Sequence, residues 1–313
     1  MTTVPQHQLF RPLGGSGLAV PALGVGTNKW GSKGIALEQL VETFSAAVDS
    51  GLPLFDTAEM YTGGKSERTL GEAMQRDARP ITLITKFAPL PTRWSVNTLL
   101  TALDASLARL GTPSVQVYLV HFPFTFLRIE SLMDAMAQAH AAGRIKAVGV
   151  SNYTASQMRR AAEQLAKHGI PLAANEVHYS LIHRHPETSG VLDACRELNA
   201  ALIAYFPLGS GLLMKTPEAL RRLGYMQRRL LGRGTPEQLV SLQQALQRIA
   251  AVHAASVPQV ALNWLLQRDG HVIAIPGATS ARHLEDNARA LGWELTPAEL
   301  DDIDRASSPW KAS

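Results

Sequence analysis

Four polar side chains stand at or shortly after the ends of short apolar runs. They are Asp56 after residues 54–55, Tyr61 five residues further on, Lys86 after residues 83–85, and His121 after residues 117–120. A free phenol, with a pKa of about 10, is a weak acid at neutral pH, but a nearby ammonium lowers that pKa. Lys86 can supply this charge to Tyr61, and Asp56 can hold the ammonium in place. His121 can donate a hydrogen bond to a carbonyl, so the set predicts a proton donor in an oxyanion pocket.

Each of these residues also has an ordinary structural interpretation when it is taken alone. Asp56 would be a helix cap, Lys86 a cation at the rim of the fold, and His121 a histidine at the edge of the core. The chemical interpretation therefore depends on the elements that carry the four side chains.

Eight short apolar runs alternate with longer segments of helical period. This alternation is typical of an α/β protein with a parallel sheet, and eight strands indicate a (β/α)8 (TIM) barrel. In such a barrel the reacting groups lie at the carboxyl ends of different strands, so the four side chains are expected at one mouth. The predicted strands are Ala22–Val25, Pro53–Phe55, Thr82–Thr85, Val115–Val120, Ala147–Val150, Leu172–Ala174, Ala201–Tyr205 and Val272–Ile275.

Helical periods and turn residues predict the remaining elements. Residues 9–20, with glycines in their middle, favour a β-hairpin that closes the barrel floor. Residues 209–235 have the least regular pattern and predict a mobile loop over a ligand. The predicted helices include Glu38–Ser50, Val96–Leu110, Ile129–Ala142, Ser156–Lys167, Glu187–Leu198 and Pro236–His253.

Length and composition restrict the class of protein. With 313 residues, 46% of them hydrophobic, we expect one barrel domain over residues 1–313. The net charge of +4 is spread along the chain, which disfavours nucleic acid as a partner and fits a small anionic ligand. The single cysteine, Cys195, fits a reducing, cytoplasmic compartment. No membrane span or signal peptide is expected, and the oligomeric state stays open.

Three motif-like stretches do not fit the sites they suggest. Gly15-Ser16-Gly17 lacks the third glycine of a dinucleotide fingerprint. Tyr61 and Lys65 have the spacing of a short-chain dehydrogenase pair, but two glycines between them oppose a helix. Three histidines, His178, His183 and His185, have no carboxylate or cysteine pattern around them, so they are predicted to be loop or surface residues and no metal is expected.

Ordered motifs over most of the chain resemble those of the aldo-keto reductases. The segments 55–61, 85–87 and 119–121 resemble the catalytic segments of that family, and residues 143–152 and 275–287 resemble two of its other signatures. Residues 292–296 are similar to a bacterial and plant branch that includes pyridoxal reductases. The resemblance implies a catalytic tetrad of Asp56, Tyr61, Lys86 and His121, with Tyr61 as the general acid, and hydride transfer from NADPH to an aldehyde or ketone.

The resemblance also implies binding sites. Ser151 and Asn152 would bind the carboxamide of the nicotinamide, Tyr205 would stack on its ring, and Ser280 with Arg282 would bind a 2′-phosphate. Trp30, Tyr61, His121 and Phe122 would contact the substrate, with Trp94, Phe124 and Phe126 adding to an apolar wall. The full set for the cofactor is Gly26, Thr27, Asp56, Ser151, Asn152, Glu176, Tyr205, Phe206, Pro207, Leu208, Gly209, Gly211, Ile275, Gly277, Thr279, Ser280, Arg282, His283, Asp286 and Asn287.

Four positions depart from the family pattern. Glu176 replaces a glutamine that contacts the carboxamide, and its negative charge would favour the oxidised, cationic nicotinamide. Phe206 replaces a serine beside the stacking tyrosine. Thr279 and His283 replace residues that are often basic or, at the second position, glutamine, so NADH is an alternative to NADPH.

Two other classes of function remain open at this stage. One is a nucleotide-binding regulatory module with slow turnover, resembling potassium-channel β-subunits. The other is a barrel lyase or isomerase in which Lys86 forms a Schiff base.

Overall fold

The computed structural model describes residues 10–123, 126–225, 228 and 231–311. Within them, parallel strands pair in sequence order to form an eight-stranded sheet. Isolated bridges from Leu23 to Ala274 and from Gly26 to Gly277 join the first strand to the last, so the sheet closes and the predicted (β/α)8 barrel is confirmed. The barrel strands are β3 (Val25–Gly26), β4 (Leu54–Asp56), β5 (Thr82–Phe87), β6 (Val115–Val120), β7 (Ile145–Ser151), β8 (Leu172–His178), β9 (Ala201–Tyr205) and β10 (Val272–Ile275).

Several strands extend beyond their predicted carboxyl ends. The sequence analysis placed Asp56 and Lys86 just after apolar runs, but both lie inside strands, as does Glu176. A strand can continue through a polar residue, because the backbone still pairs when a polar side chain points into the barrel. A strand end that is predicted from the last apolar residue therefore falls too early.

A hairpin covers the amino end of the barrel, as predicted. Its strands are β1 (Phe10–Pro12) and β2 (Ala19–Pro21), paired antiparallel. Leu13 and Val20 are fully buried in the same apolar cluster as the inward side chains of the barrel. Gly14 has a φ of +56°, and a Cβ there would lie 2.9 Å from the carbonyl oxygen of Ala173, so this close approach requires glycine.

The helices cover the outside of the barrel, and several begin at capping boxes in which a Ser or Thr and a Gln or Glu three residues later bond reciprocally. The predicted helix Glu187–Leu198 begins only at Val191, because residues 185–187 form a 3-10 turn. The helices are α1 (Leu37–Asp49), α2 (Lys65–Arg76), α3 (Asn97–Leu110), α4 (Ile129–Ala141), α5 (Ala155–Ala166), α6 (Val191–Glu197), α7 (Pro217–Arg221), α8 (Pro236–Val252), α9 (Val257–Gln267), α10 (Ala281–Ala288) and α11 (Pro297–Ala306).

The segment after β9 has more regular structure than its sequence suggested. It contains a 3-10 segment, Gly209–Met214, followed by α7. Gln243 of α8 donates to the carbonyl oxygens of Leu212, Leu213 and Lys215, which fixes this segment to the barrel wall. Residues 226, 227, 229 and 230 of the predicted loop lie outside the described residues.

Among the described helices, none alone has both the length and the apolarity to cross a bilayer. Helices α8 and α9 are long and apolar enough only when they are counted as one segment, and the angle between them is 94°.

Candidate active site

A buried lysine lies at the carboxyl end of the barrel. Lys86 on β5 has no exposed surface, and its Nζ donates to a carboxylate oxygen of Asp56 on β4 and, at 2.9 Å, to the carbonyl oxygen of Thr57. Oε2 of Glu176, on β8, lies 3.2 Å from the same nitrogen. Burial alone would lower the pKa of Lys86, but Asp56 and Glu176 outweigh it and raise that pKa, so the amine stays charged.

A tight turn places Tyr61 beside this lysine. The turn spans Tyr61–Gly64, and Thr62 and Gly63 have left-handed φ values of 49° and 66°. The hydroxyl of Thr62 donates to the carbonyl oxygen of Trp30 at 2.8 Å, which fixes the turn. The hydroxyl oxygen of Tyr61 then lies 3.4 Å from Nζ of Lys86. The left-handed residues also separate Tyr61 from helix α2, so the helical pair with Lys65 does not form.

The pKa of Tyr61 departs from its ordinary value in the direction opposite to the sequence prediction. Burial raises it, and the ammonium of Lys86 offsets only part of that effect. The sequence argument considered the ammonium but not the loss of water around the phenol. The phenol of Tyr61 is therefore protonated at neutral pH. It can act as an acid only when negative charge develops on an atom of a bound molecule beside its hydroxyl.

The imidazole of His121 lies against the ring of Tyr61 at the barrel mouth. Its ring centroid is 5.8 Å from that of Tyr61, edge to face, and it stacks on Phe122 at 4.3 Å. Burial and the charge of Lys86 lower the pKa of His121 to about 3, so the imidazole is neutral at physiological pH. Its Nδ1 is buried without a hydrogen-bond partner among the described residues.

These side chains border a cavity of about 300 Å³ at the carboxyl ends of the strands, a volume in the range of small-molecule sites. Most of the predicted catalytic residues and several of the predicted cofactor residues meet there. The residues that line it are Gly26, Asn28, Asp56, Tyr61, His121, Phe122, Asn152, Glu176, Tyr205, Phe206, Ile275 and Gly277.

Asn152 connects three strands at the wall of this cavity. Its Oδ1 accepts from the hydroxyl of Tyr205 at 2.9 Å, and its Nδ2 donates to Oγ of Ser151 and to the carbonyl oxygen of His121. Its φ of 62° is left-handed, which costs energy for a residue other than glycine and is found most often at functional sites. The hydrogen bonds hold the Tyr205 ring in a fixed orientation at the cavity.

A second cavity of about 480 Å³ adjoins the first and shares Gly26, Asn28, Phe206 and Gly277 with it. Together they offer two connected lobes at the barrel mouth. Gly211 has a φ of 81° and no atom within 4 Å of an added Cβ, so a side chain there would enter the space or its opening. The lining of the second cavity is completed by Lys29, Pro207, Leu208, Ser210, Gly211, Met214, Pro276, Ala278, Thr279 and His283.

Other residues in the predicted set lie away from the two cavities. Trp30 is a core residue rather than a substrate contact, because its indole is fully buried and donates to the carbonyl oxygen of Ala278 at 2.8 Å. Ser280 caps α10 by accepting from the backbone of His283, and Arg282 is exposed on the first helical turn. Phe124 lies outside the described residues.

The rest of the predicted set does not line either cavity and makes contacts within the protein. The hydroxyl of Ser151 donates to the backbone of Glu176, and Asp286 accepts from Ser256 and Gln259 of the neighbouring helix. The remaining three are Thr27, which bonds the Asp56 carbonyl, Gly209, which packs against Ile182, and Asn287, which is buried.

Asn28 and Lys29 are cavity residues that the sequence analysis missed. They lie two and three residues after the end of β3, so they carry a weaker form of the signal that singled out Lys86 and His121. For the cofactor, the sequence analysis named only Gly26 and Thr27 at the end of this strand.

Of the three histidines, His178 lies within β8 and not in a loop as predicted, whereas His183 is half-buried in the turn that follows and His185 is exposed. The rings of His178 and His183 stack at 4.0 Å, and His178 also stacks on Tyr205 at 5.4 Å. Burial lowers the pKa of His178 to about 3. In the part of the chain that the structure describes, no group of three or more His, Cys, Asp or Glu side chains is arranged to hold a metal ion.

The barrel mouth thus brings together a charged lysine, two carboxyl groups, a phenol and a neutral imidazole beside one cavity, an arrangement that can exchange protons with a bound molecule. The model of the Aldo/keto reductase family matches residues 22–308, and the chain belongs to this family of oxidoreductases. The resemblance seen in the sequence is therefore confirmed.

Individual relatives cover nearly the whole chain. The chloroplastic pyridoxal reductase of Arabidopsis thaliana is 34% identical over 93% of this chain and 84% of its own length. Methylglyoxal reductase of Escherichia coli is 31% identical over 92% of each chain. Among solved structures, an aldo-keto reductase from Klebsiella pneumoniae in complex with NADPH has a TM-score of 0.78 and 28% identity, over 96% of this chain and 95% of that one.

Proposed function

We propose that the protein reduces an aldehyde or ketone to an alcohol, with NADPH as the hydride donor and Tyr61 as the proton donor. The observation that carries the proposal is the hydroxyl of Tyr61 at 3.4 Å from the charged Nζ of Lys86, at the wall of a cavity. A cytoplasmic location belongs to the same proposal and rests on the single, buried thiol of Cys195.

The residues around the two cavities fit a nicotinamide dinucleotide. The two cavities share Gly26 and Gly277, and Lys29 and His283 border the larger one. The buried Nδ1 of His121 has no hydrogen-bond partner among the described residues and can receive a polar group of a bound molecule. The Klebsiella relative with NADPH supports the same assignment.

The chemistry follows from the charges at the barrel mouth. When bound, NADPH supplies a hydride to the carbonyl carbon, and negative charge develops on the carbonyl oxygen. Tyr61 donates its proton to that oxygen, and the ammonium of Lys86 stabilises the phenolate left behind. Asp56 holds the ammonium in position, and neutral His121 donates a hydrogen bond to the same oxygen without adding charge.

The proposal assigns the remaining residues to binding. Asn152 and Glu176 bind the carboxamide, and the ring of Tyr205, fixed by its bond to Asn152, stacks on the nicotinamide. Lys29 and His283 border the lobe that would hold the phosphates. Since Thr279 and His283 are weaker phosphate ligands than arginine, NADH stays an alternative donor.

Apolar side chains favour a substrate with aromatic or aliphatic character. Phe122 and Phe206 line the cavity, and the exposed rings of Trp94 and Phe126 stack on each other at 4.9 Å in the loops that follow β5 and β6. The named activities of the pyridoxal and methylglyoxal reductases are both reductions of small carbonyl compounds. We therefore propose a small aldehyde as the substrate class.

A panel of aldehydes and ketones, followed at the nicotinamide absorbance with NADPH and with NADH, tests the function. Tyr61→Phe should lower kcat/KM by about 10²–10⁴-fold while NADPH binding is kept. Tyr118→Phe is the matched control, because this buried hydroxyl has no hydrogen-bond partner among the described residues and lies outside the cavity. Tight NADPH binding without turnover on any carbonyl would instead favour the regulatory module.

A further inference from the structure

The buried cluster at the barrel mouth contains one more acidic group than basic groups. Lys86 is the only cation in direct contact with Asp56 and Glu176 among the described residues, and none of the three side chains is more than 3% exposed. With both carboxyl groups ionised, the cluster would carry a net negative charge away from water. Such a charge is strongly disfavoured, and one added proton removes it.

The other titratable groups that face the cluster do not supply this missing charge. Two phenols and one imidazole border it, and burial holds each of them in its neutral form. They are Tyr61, Tyr205 and His121.

Of the two carboxyl groups, Glu176 is the better place for the added proton. Asp56 accepts a direct hydrogen bond from Lys86, whereas Oε2 of Glu176 is within ion-pairing distance of the lysine but has no hydrogen bond of good geometry. Burial and the neighbouring Asp56 raise the pKa of Glu176 well above its ordinary value. A protonated carboxyl group both donates and accepts, as the amide of glutamine does.

We propose that Glu176 is protonated in the free protein and in the NADPH complex, and that it releases its proton to the solvent when NADP⁺ binds. The inference rests on the proposed function. Glu176 lines the same cavity as Tyr205, so the cationic nicotinamide of NADP⁺ would bring a second positive charge to the cluster. Ionised Glu176 balances that charge, and dihydronicotinamide, which is neutral, gives no such benefit.

A protonated Glu176 differs from the negative charge that the sequence predicted beside the nicotinamide. Glu176 carries no permanent negative charge that would weaken NADPH binding, and it favours NADP⁺ only to the extent that the proton can leave. By linkage, the affinity for NADP⁺ must rise with pH, because binding releases a proton. Glu176 is thus a positioning and specificity residue for the redox state of the cofactor.

Titration calorimetry with NADP⁺ and NADPH, repeated in buffers of different ionisation enthalpy, counts the protons. NADPH is the matched control ligand, because it carries the same phosphates and so reports any proton exchanged where the phosphates bind. We expect up to one more proton released with NADP⁺ than with NADPH, and a NADP⁺ Kd that falls by up to about tenfold per pH unit near neutrality. Glu176→Gln should abolish both the extra proton release with NADP⁺ and the pH dependence of the NADP⁺ Kd.

Equal proton release by the two ligands in the unaltered protein would overturn the inference, whatever the variant does. An undiminished difference in Glu176→Gln would overturn it as well, since another group would then hold the proton. If neither dinucleotide binds, the proposed function fails together with the inference. Binding and turnover without differential proton release would leave the proposed function intact and reject only the role of Glu176.

Discussion

Replacing Lys86 with methionine isolates the energetic role of the buried cation. Methionine fills much of the space of the lysine stem but supplies no charge, so Asp56 and Glu176 remain buried without a counter-ion. Breaking a buried ion pair in this way costs about 3–5 kcal/mol, because the remaining charge is uncompensated. The fully buried position of Lys86 puts the expected loss in that range at alkaline pH.

The loss should depend on pH in a defined direction. Without the ammonium, burial holds the folded-state pKa of each carboxyl group above its unfolded value. A group with a raised pKa contributes stability below its unfolded pKa and loses that contribution as pH rises through the folded pKa. Lys86→Met should therefore be less destabilised at about pH 5 than at about pH 8.

Denaturant unfolding followed by circular dichroism at both pH values measures this effect. The matched control combines Lys86→Met with Asp56→Asn and Glu176→Gln, which removes both buried carboxyl groups along with the cation. This triple variant should regain most of the lost stability at alkaline pH. An equal loss at the two pH values, or no recovery in the triple variant, would refute the electrostatic account of the cluster.

Four further predictions follow from individual contacts. Tyr205→Phe removes the bond to Asn152, worth about 0.5–1.5 kcal/mol, and should raise KM for NADPH several-fold with little change in kcat. Gln243→Leu removes three hydrogen bonds to residues 212–215 beside the second cavity and should speed NADPH dissociation, measured by stopped flow. The cooperativity of unfolding should change little. Arg184→Met breaks a buried ion pair with Glu187 outside the lining of both cavities and should lower stability without altering KM, by less than the cost of an uncompensated charge, about 3–5 kcal/mol, because Glu187 keeps Arg268 at 3.4 Å. The pH profile of kcat/KM should show no imidazole ionisation from about pH 5 to 8, since the pKa of His121 is about 3; a break that His121→Gln removes would contradict this.

Local pattern was enough to predict the barrel and the edge at which its chemistry lies. Apolar runs indicate buried strands because both faces of a parallel barrel sheet are covered, and polar residues at their carboxyl ends then share one mouth by geometry. Asp56, Lys86 and His121 were found in this way. The helix predicted from Ser156 begins at Ala155, and the capping box of Thr154 that starts it is a local feature, because its hydrogen bonds span only three residues.

Tertiary structure decided the burial of those side chains and the charges that surround them. Strands β4, β5 and β8 bring Asp56, Lys86 and Glu176 together, and the proximity of Glu176 to a lysine 90 positions away in the chain leaves no local sequence signal. The raised pKa of Tyr61 and the neutral state of His121 come from the exclusion of water by the closed barrel. Trp30 was misassigned for the same reason: whether an aromatic side chain after a strand faces ligand or core depends on the loop that folds over it. Sequence fixes residue type and spacing along the chain, whereas burial and charge neighbours arise only when distant strands meet.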